Sequence, residues 1–192
     1  MTKKGLTLIE LLMAVSLSAI LLGALYAVYS ISYQAYKSGI NKAELNQNAR
    51  IAMERMSRDL RQTNCLVTSL PKNINTFNPP SNEIKFQDGH DTEQIQYIRY
   101  FHDGTDLKRE VTHYYISSDT DKWVEYNTIA PEGSTRIEIP NPAGEARTIA
   151  DKITSLKFYG SDTSERLINI EITASNSAGT YTYKTIISAR NI

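Results

Sequence analysis

The chain has 192 residues, and its 21 basic and 21 acidic side chains give a formal net charge of zero. Basic and acidic residues are mixed along the chain, which argues against the basic face that duplex phosphates require, so no nucleic acid partner is expected. The single cysteine, Cys65, excludes an intrachain disulfide. It is predicted to be a buried, unreactive apolar side chain, although in an exported domain it could pair between chains.

The N-terminal sequence predicts a membrane helix. Lys3 and Lys4 precede an apolar run that continues to about Tyr29. A helix from Leu6 to Tyr29 would be about 36 Å long, enough to span a hydrocarbon core of about 30 Å. The two lysines favour a cytoplasmic N-terminus and send the chain after Ser30 outward. A cleaved secretory signal fits less well, because the run is too long and lacks a small-residue cleavage site.

Glu10 interrupts this apolar run about one helical turn from its start. A carboxylate in lipid is unfavourable and marks a functional position, which predicts a positive partner at similar depth on another molecule. An α-amino group exposed by cleavage after Gly5 would supply that partner. The alternative is a tolerated interfacial carboxylate in an uncleaved, single-span anchor.

Residues 5–11, GLTLIEL, resemble the class III signal of type IV pilins and type II secretion pseudopilins. The resemblance implies that a membrane prepilin peptidase cuts after Gly5 and methylates the new N-terminal amine, on Leu6. It also implies that Glu10 pairs with the amine of a neighbouring subunit during filament assembly. Leu6 stands where phenylalanine is commonest in that family.

The helix is predicted to continue from Ile31 to about Gln62, with Gly39 as its weak point, because no proline occurs before Pro71. Apolar residues recur there at steps of three and four, which predicts a stripe that packs on a folded domain. The stripe comprises Leu45, Ala49, Ala52, Met53, Met56 and Leu60. Opposite charges four residues apart predict exposed ion pairs. These are Arg50–Glu54, Glu54–Arg58 and Arg55–Asp59.

Residues 56–62, MSRDLRQ, resemble the helix end of J-type minor pseudopilins and PilW-like minor pilins. The resemblance implies a minor subunit near the tip of a filament that helps to start assembly. It also implies an α+β, pilin-like fold, in which a long N-terminal α-helix with a transmembrane first half packs on a C-terminal antiparallel β-sheet.

Residues 64–192, called the head below, are predicted to be β-rich after an irregular connection over Leu66–Asn82. Alternating apolar residues predict a series of strands. The strands are Glu83–Gln87, Gln94–Phe101, Leu107–Ile116, Trp123–Tyr126, Arg136–Ile139, Ile149–Tyr159, Leu167–Ala174 and Tyr181–Ala189. Ile95, Tyr97 and Phe101 are predicted to share one face of the second strand. Asp103-Gly104 predicts a hairpin whose loop exceeds two residues.

No catalytic or metal-binding arrangement is predicted. His90, His102 and His113 are scattered and lack the spacing of a zinc site. Three acidic clusters, at residues 88–91, 103–106 and 119–121, could attract calcium, but they lack its usual oxygen count, so turns are the preferred interpretation. No cofactor and no enzymatic activity are therefore expected.

The sequence predicts a leader at residues 1–5, a transmembrane and assembly helix at 6–30, an amphipathic half-helix at 31–63 and the extracytoplasmic head. Through the resemblance, the expected partners are prepilin peptidase, other pilin or pseudopilin subunits, an assembly platform in the cytoplasmic membrane, and membrane lipid. The expected location is the cytoplasmic membrane and then an extracytoplasmic filament. A head that acts as an adhesin or a DNA-uptake module is the alternative.

Overall fold

The computed structural model describes residues 7–90, 95–140, 146–161, 164 and 166–190. It begins with one continuous helix, α1, at Leu8–Arg61, of 54 residues. At 1.5 Å per residue this helix is about 81 Å long. It runs through Gly39 without interruption, so the predicted long helix is confirmed and the predicted weak point does not break it.

Six strands of the head form one antiparallel sheet centred on β3, which pairs with β2, β4, β5 and β6. The strands are β1 Glu83–Gln87, β2 Tyr97–Asp103, β3 Asp106–Ile116, β4 Asp119–Val124, β5 Arg136–Pro140 and β6 Arg147–Ala150. The loop between β2 and β3 is only Gly104-Thr105, so the longer loop predicted there is wrong. Gly104 has a φ of 64°, which glycine adopts without strain and which permits the tight turn.

Three further strands form a second antiparallel sheet, in the order β7-β8-β9. They are β7 Ile153–Gly160, β8 Leu167–Asn176 and β9 Gly179–Ser188. The single strand predicted over residues 149–159 is wrong, because Lys152 has a φ of 59° that ends the extended backbone. Ile149 therefore belongs to β6 in the first sheet and Ile153 to β7 in the second.

One hydrophobic core joins the second half of α1 to both sheets. The buried residues of α1 are Leu45, Ala49, Ala52, Met56, Asp59 and Leu60, and Met53 is partly buried, so the predicted stripe is confirmed. From the strands come Ile84, Phe86, Ile98, Tyr100, Leu107, Ile153, Leu156, Phe158, Ile168, Ile170, Ile172 and Ile187. The predicted α+β architecture, a long N-terminal helix against antiparallel sheets, is confirmed.

Polar contacts begin where α1 first meets the head. The side chain of Asn41 donates to the hydroxyl of Ser177 over 3.0 Å, and the side chain of Asn176 donates to the carbonyl of Asn41 over 2.8 Å. Nearby, Lys152 pairs with Glu44 at 2.6 Å. These contacts tie the β8–β9 turn to the helix and set the direction in which the first half of α1 leaves the head.

Asp59 lies on the buried face of α1 and is only 5% exposed. Its Oδ2 accepts hydrogen bonds from the Tyr100 hydroxyl at 2.7 Å and from Nε of Arg109 at 2.9 Å. Burial and the Asp59 carboxylate raise the pKa of Tyr100, which keeps its hydroxyl protonated as a donor. The predicted Arg55–Asp59 ion pair is wrong, because Asp59 lies on the buried face of the helix whereas Arg55 is exposed to solvent.

Cys65 is half-buried at the start of the connection that follows α1, so the buried position predicted for it is wrong. The thiol lies 3.5 Å from the carbonyl of Leu66, and the carbonyl of Cys65 accepts a 2.8 Å hydrogen bond from the amide of Gln87. This segment runs beside the edge of β1, and its Leu66 and Leu70 pack against the core.

Replacing Asp59 with alanine should lower the free energy of unfolding by about 3 kcal/mol, because the buried Tyr100 and the half-buried Arg109 would lose their acceptor. Urea unfolding of the full chain in mild detergent, followed by fluorescence of Trp123, measures this. Glu54→Ala is the matched control: it breaks an exposed Arg50–Glu54 pair, worth about 0.5 kcal/mol or less. Equal losses from the two substitutions would contradict the role of Asp59.

Glu171 links all three strands of the second sheet. It lies directly between Lys157 on β7 and Lys184 on β9, with Nζ to carboxylate distances of 3.0 and 2.7 Å. The hydrogen bond from Lys184, which outweighs the effect of burial, together with Lys157 holds the pKa of Glu171 below its ordinary value of 4.5. The ionised carboxylate therefore stabilises the folded state.

This stabilisation should be present above about pH 4.5 and lost as the pH falls through the lower pKa of the folded protein. Glu171→Gln should therefore be less stable than the wild type near neutral pH and approach it at about pH 3. Urea unfolding at both pH values measures the difference. A gap between the two proteins that does not change with pH would contradict this assignment.

Candidate functional site

Gly5 and Leu6, the predicted cleavage and methylation residues, lie outside the described residues, but Glu10 is described. Thr7 is the N-cap of α1, with an extended backbone, and Glu10 is the third residue of the first turn. The Thr7 amide donates to Oε2 of Glu10 over 2.9 Å, and the Glu10 amide donates to the Thr7 hydroxyl over 3.4 Å. This reciprocal arrangement is a capping box.

The capping box holds the Glu10 carboxylate at the start of the helix but uses only one of its oxygens. The Thr7 hydroxyl also donates to Oε2, at 3.0 Å. Among the described residues no hydrogen bond reaches Oε1 of Glu10. An ionised carboxylate accepts about four hydrogen bonds, so Oε1 can accept an ammonium group from another molecule while the cap stays closed.

Thr7 was not among the residues expected to matter, although the sequence carries its signal. A threonine followed three residues later by glutamate, just before an apolar run, is the sequence pattern of a capping box. The two residues together fix the position of the carboxylate at the start of the helix, because the helix cannot fray past its cap without breaking these hydrogen bonds.

The first half of α1 buries nothing against its own chain. Between Thr7 and Glu44 no side chain is buried, and Leu8, Ile20 and Val28 are 79%, 69% and 64% exposed. In the described part of the chain, α1 is the helix whose length and composition suffice to cross a membrane, and its most apolar stretch is wholly exposed. Apolar side chains continue beyond Ser30, at Ile31 and Tyr36 among others.

The histidines lie apart and have structural contacts. His90 contacts the carboxylate of Asp88 at 2.5 Å, and His102 contacts the carbonyl of Ile153 at 2.7 Å. The ring of His113 stacks on Trp123 with centroids 4.2 Å apart, and burial lowers its pKa. The structure does not bring these three side chains together.

Two of the three acidic clusters lie at turns and have partners of their own, whereas Asp119 and Asp121 belong to strand β4, so the turn predicted at residues 119–121 is wrong. Asp88 accepts from the amide of His90 at 3.1 Å, and Asp103 is paired with Lys108 across the β2–β3 turn. Asp106 accepts a hydrogen bond from Thr148 at 3.2 Å, whereas Asp91 lies outside the described residues. No group of three or more His, Cys, Asp or Glu side chains in the described ranges is arranged to hold a metal ion.

Residues 1–26 match the family described as the prokaryotic N-terminal methylation motif. This stretch contains Gly5, Leu6 and Glu10, together with the capping residue Thr7. No curated protein and no solved structure matches the chain.

The methylation motif and the exposed apolar helix therefore occupy the same end of the molecule. The motif implies processing by a prepilin peptidase and assembly with other pilins. The helix that follows it is suited to a single membrane crossing. Together they support a type IV pilin-like or pseudopilin-like subunit anchored in a membrane by one N-terminal helix.

Proposed function

We propose that the protein is a minor pilin or pseudopilin, a structural subunit without enzymatic activity that enters a type IV pilus-like or type II secretion filament. One observation carries the proposal: the methylation motif leads directly into a helix half that packs against no apolar partner among the described residues. Such a surface needs lipid or other helices to cover it. The helix of a pilin-like subunit is surrounded first by lipid and then by the helices of other subunits.

Processing would begin in the cytoplasmic membrane. Prepilin peptidase would remove residues 1–5 by cleavage after Gly5 and would methylate the new amine of Leu6. The shortened chain would then begin one residue before the Thr7 cap. Its positive terminus would then lie near the Glu10 carboxylates of neighbouring subunits, whose Oε1 accepts no hydrogen bond from the described residues of its own chain.

Assembly would transfer the apolar half of α1 from lipid to a bundle of like helices. Residues 6–30 would serve as the membrane and assembly segment, with residues 31–63 continuing the helix to the extracytoplasmic head. Van der Waals packing between apolar helices and the Glu10–amine pair would replace contacts with lipid. The pair would also set the axial register of neighbouring helices, because it joins fixed positions on the two chains.

A position near the tip of the filament rests on the similarity of residues 56–62 to J-type minor pseudopilins and PilW-like minor pilins. In this chain the string contains Asp59, which anchors the helix to the head through Tyr100 and Arg109. We infer that residues 56–62 form a rigid connection between the helix and the head. A subunit that starts assembly with other minor subunits would need its head held in one orientation.

The mature N-terminus tests this function. Protein purified from cells that contain prepilin peptidase should begin at Leu6 and carry the added mass of one methyl group. Mass spectrometry of the intact protein and of its N-terminal peptide measures both changes. Cells that lack the peptidase provide the control, in which Met1 or Thr2 should remain first. A chain that keeps its leader in the presence of the peptidase would leave only a single-span anchored domain.

Replacing Glu10 with valine should leave membrane insertion intact and reduce incorporation into filaments by about tenfold or more. Loss of one partner of a buried ion pair costs about 3 kcal/mol or more, which exceeds the free energy of a tenfold change. Quantitative immunoblotting of sheared filaments and of membranes measures the two fractions.

Ser16→Val is the matched control for this substitution. It also replaces a polar side chain with valine in the apolar segment, but Ser16 only donates to the carbonyl of Met13 in its own helix. The Ser16 variant should enter filaments as the wild type does. Normal incorporation of the Glu10 variant, or an equal loss in the Ser16 variant, would contradict the proposed role of the carboxylate.

A further inference from the structure

A cleft at the far end of α1 has no role in the processing or membrane insertion described above. It lies between the last turns of the helix and the end of β9 and has a volume of about 540 Å³. The amide of Arg190 donates to the carbonyl of Arg61 over 3.3 Å, which fixes the two elements together at the cleft. Thr185 of β9 and Met53 of α1 line the opposite sides.

Three arginines line this cleft: Arg58, Arg61 and Arg190. All three are exposed, and within the described residues none of them forms an ion pair. The acid in the lining, Glu54, is held by Arg50 at 2.8 Å. The cleft therefore presents three positive charges that have no neutralising partner among the described residues.

Stabilisation of the helix end explains the presence of only two of these three arginines. Arg58 and Arg61 lie in the last turn of α1, where cations offset the negative end of the helix dipole. Arg190 belongs to a different segment, beyond β9, and is brought to the same cleft by its backbone hydrogen bond to Arg61. Placing a third guanidinium there adds repulsion between like charges, which an anionic ligand would relieve.

The chemistry and position of the cleft indicate carboxylates as that ligand. Guanidinium groups bind carboxylates and phosphates through paired hydrogen bonds, and Ser57 and Thr185 add hydroxyl donors. Lipid phosphates are out of reach, because Arg58 lies about 42 Å along the helix from Ser30. Duplex nucleic acid needs an extended basic face, and the chain as a whole has no excess of positive charge.

We propose that this cleft, lined by Arg58, Arg61 and Arg190, is a docking site for an acidic segment of a neighbouring protein subunit. The assignment of that neighbour to a filament rests on the proposed function. Such a contact would join the helix–head junction of one subunit to a carboxylate-bearing surface of the next. It would act in addition to the apolar helix contacts, at the level of the heads.

Binding of a hexaglutamate peptide to the full chain in mild detergent tests the site directly. Titration calorimetry at physiological ionic strength should detect binding, and Arg58→Glu/Arg61→Glu should weaken it by about tenfold or more, because hydrogen bonds to charged groups are lost. Arg55→Glu is the matched control, since it reverses an exposed charge on the same helix outside the cleft. It should change the affinity by about twofold or less.

Three results would overturn the proposal: no binding of the peptide, equal weakening by the control, or tighter binding of inorganic phosphate or a DNA oligonucleotide. Incorporation into filaments separates this proposal from the proposed function. A double variant that is cleaved after Gly5 but enters filaments far less than Arg55→Glu would support the docking site. Incorporation equal to that of the control would refute the site and leave the proposed function standing. If the wild type is not cleaved, the proposed function fails, and the peptide titration still decides the docking site.

Discussion

The structure depends on one constraint: half of a very long helix is apolar, and nothing in the described part of the chain covers it. Side chains of α1 become buried only from Leu45 onward, where the head begins to pack against the helix. Exposing so large an apolar surface to water is energetically unfavourable, so lipid or other helices must cover it. Between Leu8 and Ser30, Glu10 is the charged residue of this surface, and its place in the first turn of α1 gives the surface a defined end.

The polar contacts between the helix and the head fix the orientation of the helix more than they stabilise the fold. Buried ion pairs recover little net free energy, because each charge must first leave water. Asp59, Tyr100 and Arg109 nevertheless specify one arrangement, since any shift of the helix would leave a buried charge without its partner. With the contacts near Asn41, they hold the helix at two levels. The exposed half of α1 is thus presented in one orientation.

Patterns with a clear period could be predicted from the sequence. The stripe around Met56 repeats at helical spacing over more than four turns, and the structure buries it as expected. Glu10 could be singled out because an acid in an apolar run is conspicuous. The Thr7 cap has an equally plain pattern, a threonine three residues before a glutamate, but it was not predicted.

Features that depend on tertiary contacts were harder to predict. The second strand is apolar on both faces, so alternation could not show that Ile98 and Tyr100 would face the core while Phe101 stays half-exposed. Asp59 has an arginine at helical spacing, which suggested a surface pair, but its true partner, Arg109, is 50 residues away. The break at Lys152 depends on a positive φ at a residue that gives no sign of it in the sequence.

The arginine cleft illustrates the same limit. Arg58 and Arg61 are visible as neighbours on one helix, but Arg190 joins them only when β9 has folded beside the helix. Charge counts over the whole chain conceal such a cluster, because the net charge is zero. A local cluster of positive charge such as this one can therefore be recognised only on the surface of the folded protein.

The most direct measurement is a photo-cross-link from the exposed apolar face of α1. A photoreactive amino acid in place of Leu17, which is 60% exposed, would report what covers that face in cells that assemble filaments. Mass spectrometry of sheared filaments should identify adducts with the apolar N-terminal helix of another pilin-like subunit. Adducts with lipid alone, in cells where filaments are present, would contradict the view that this helix half leaves the membrane to pack against its neighbours.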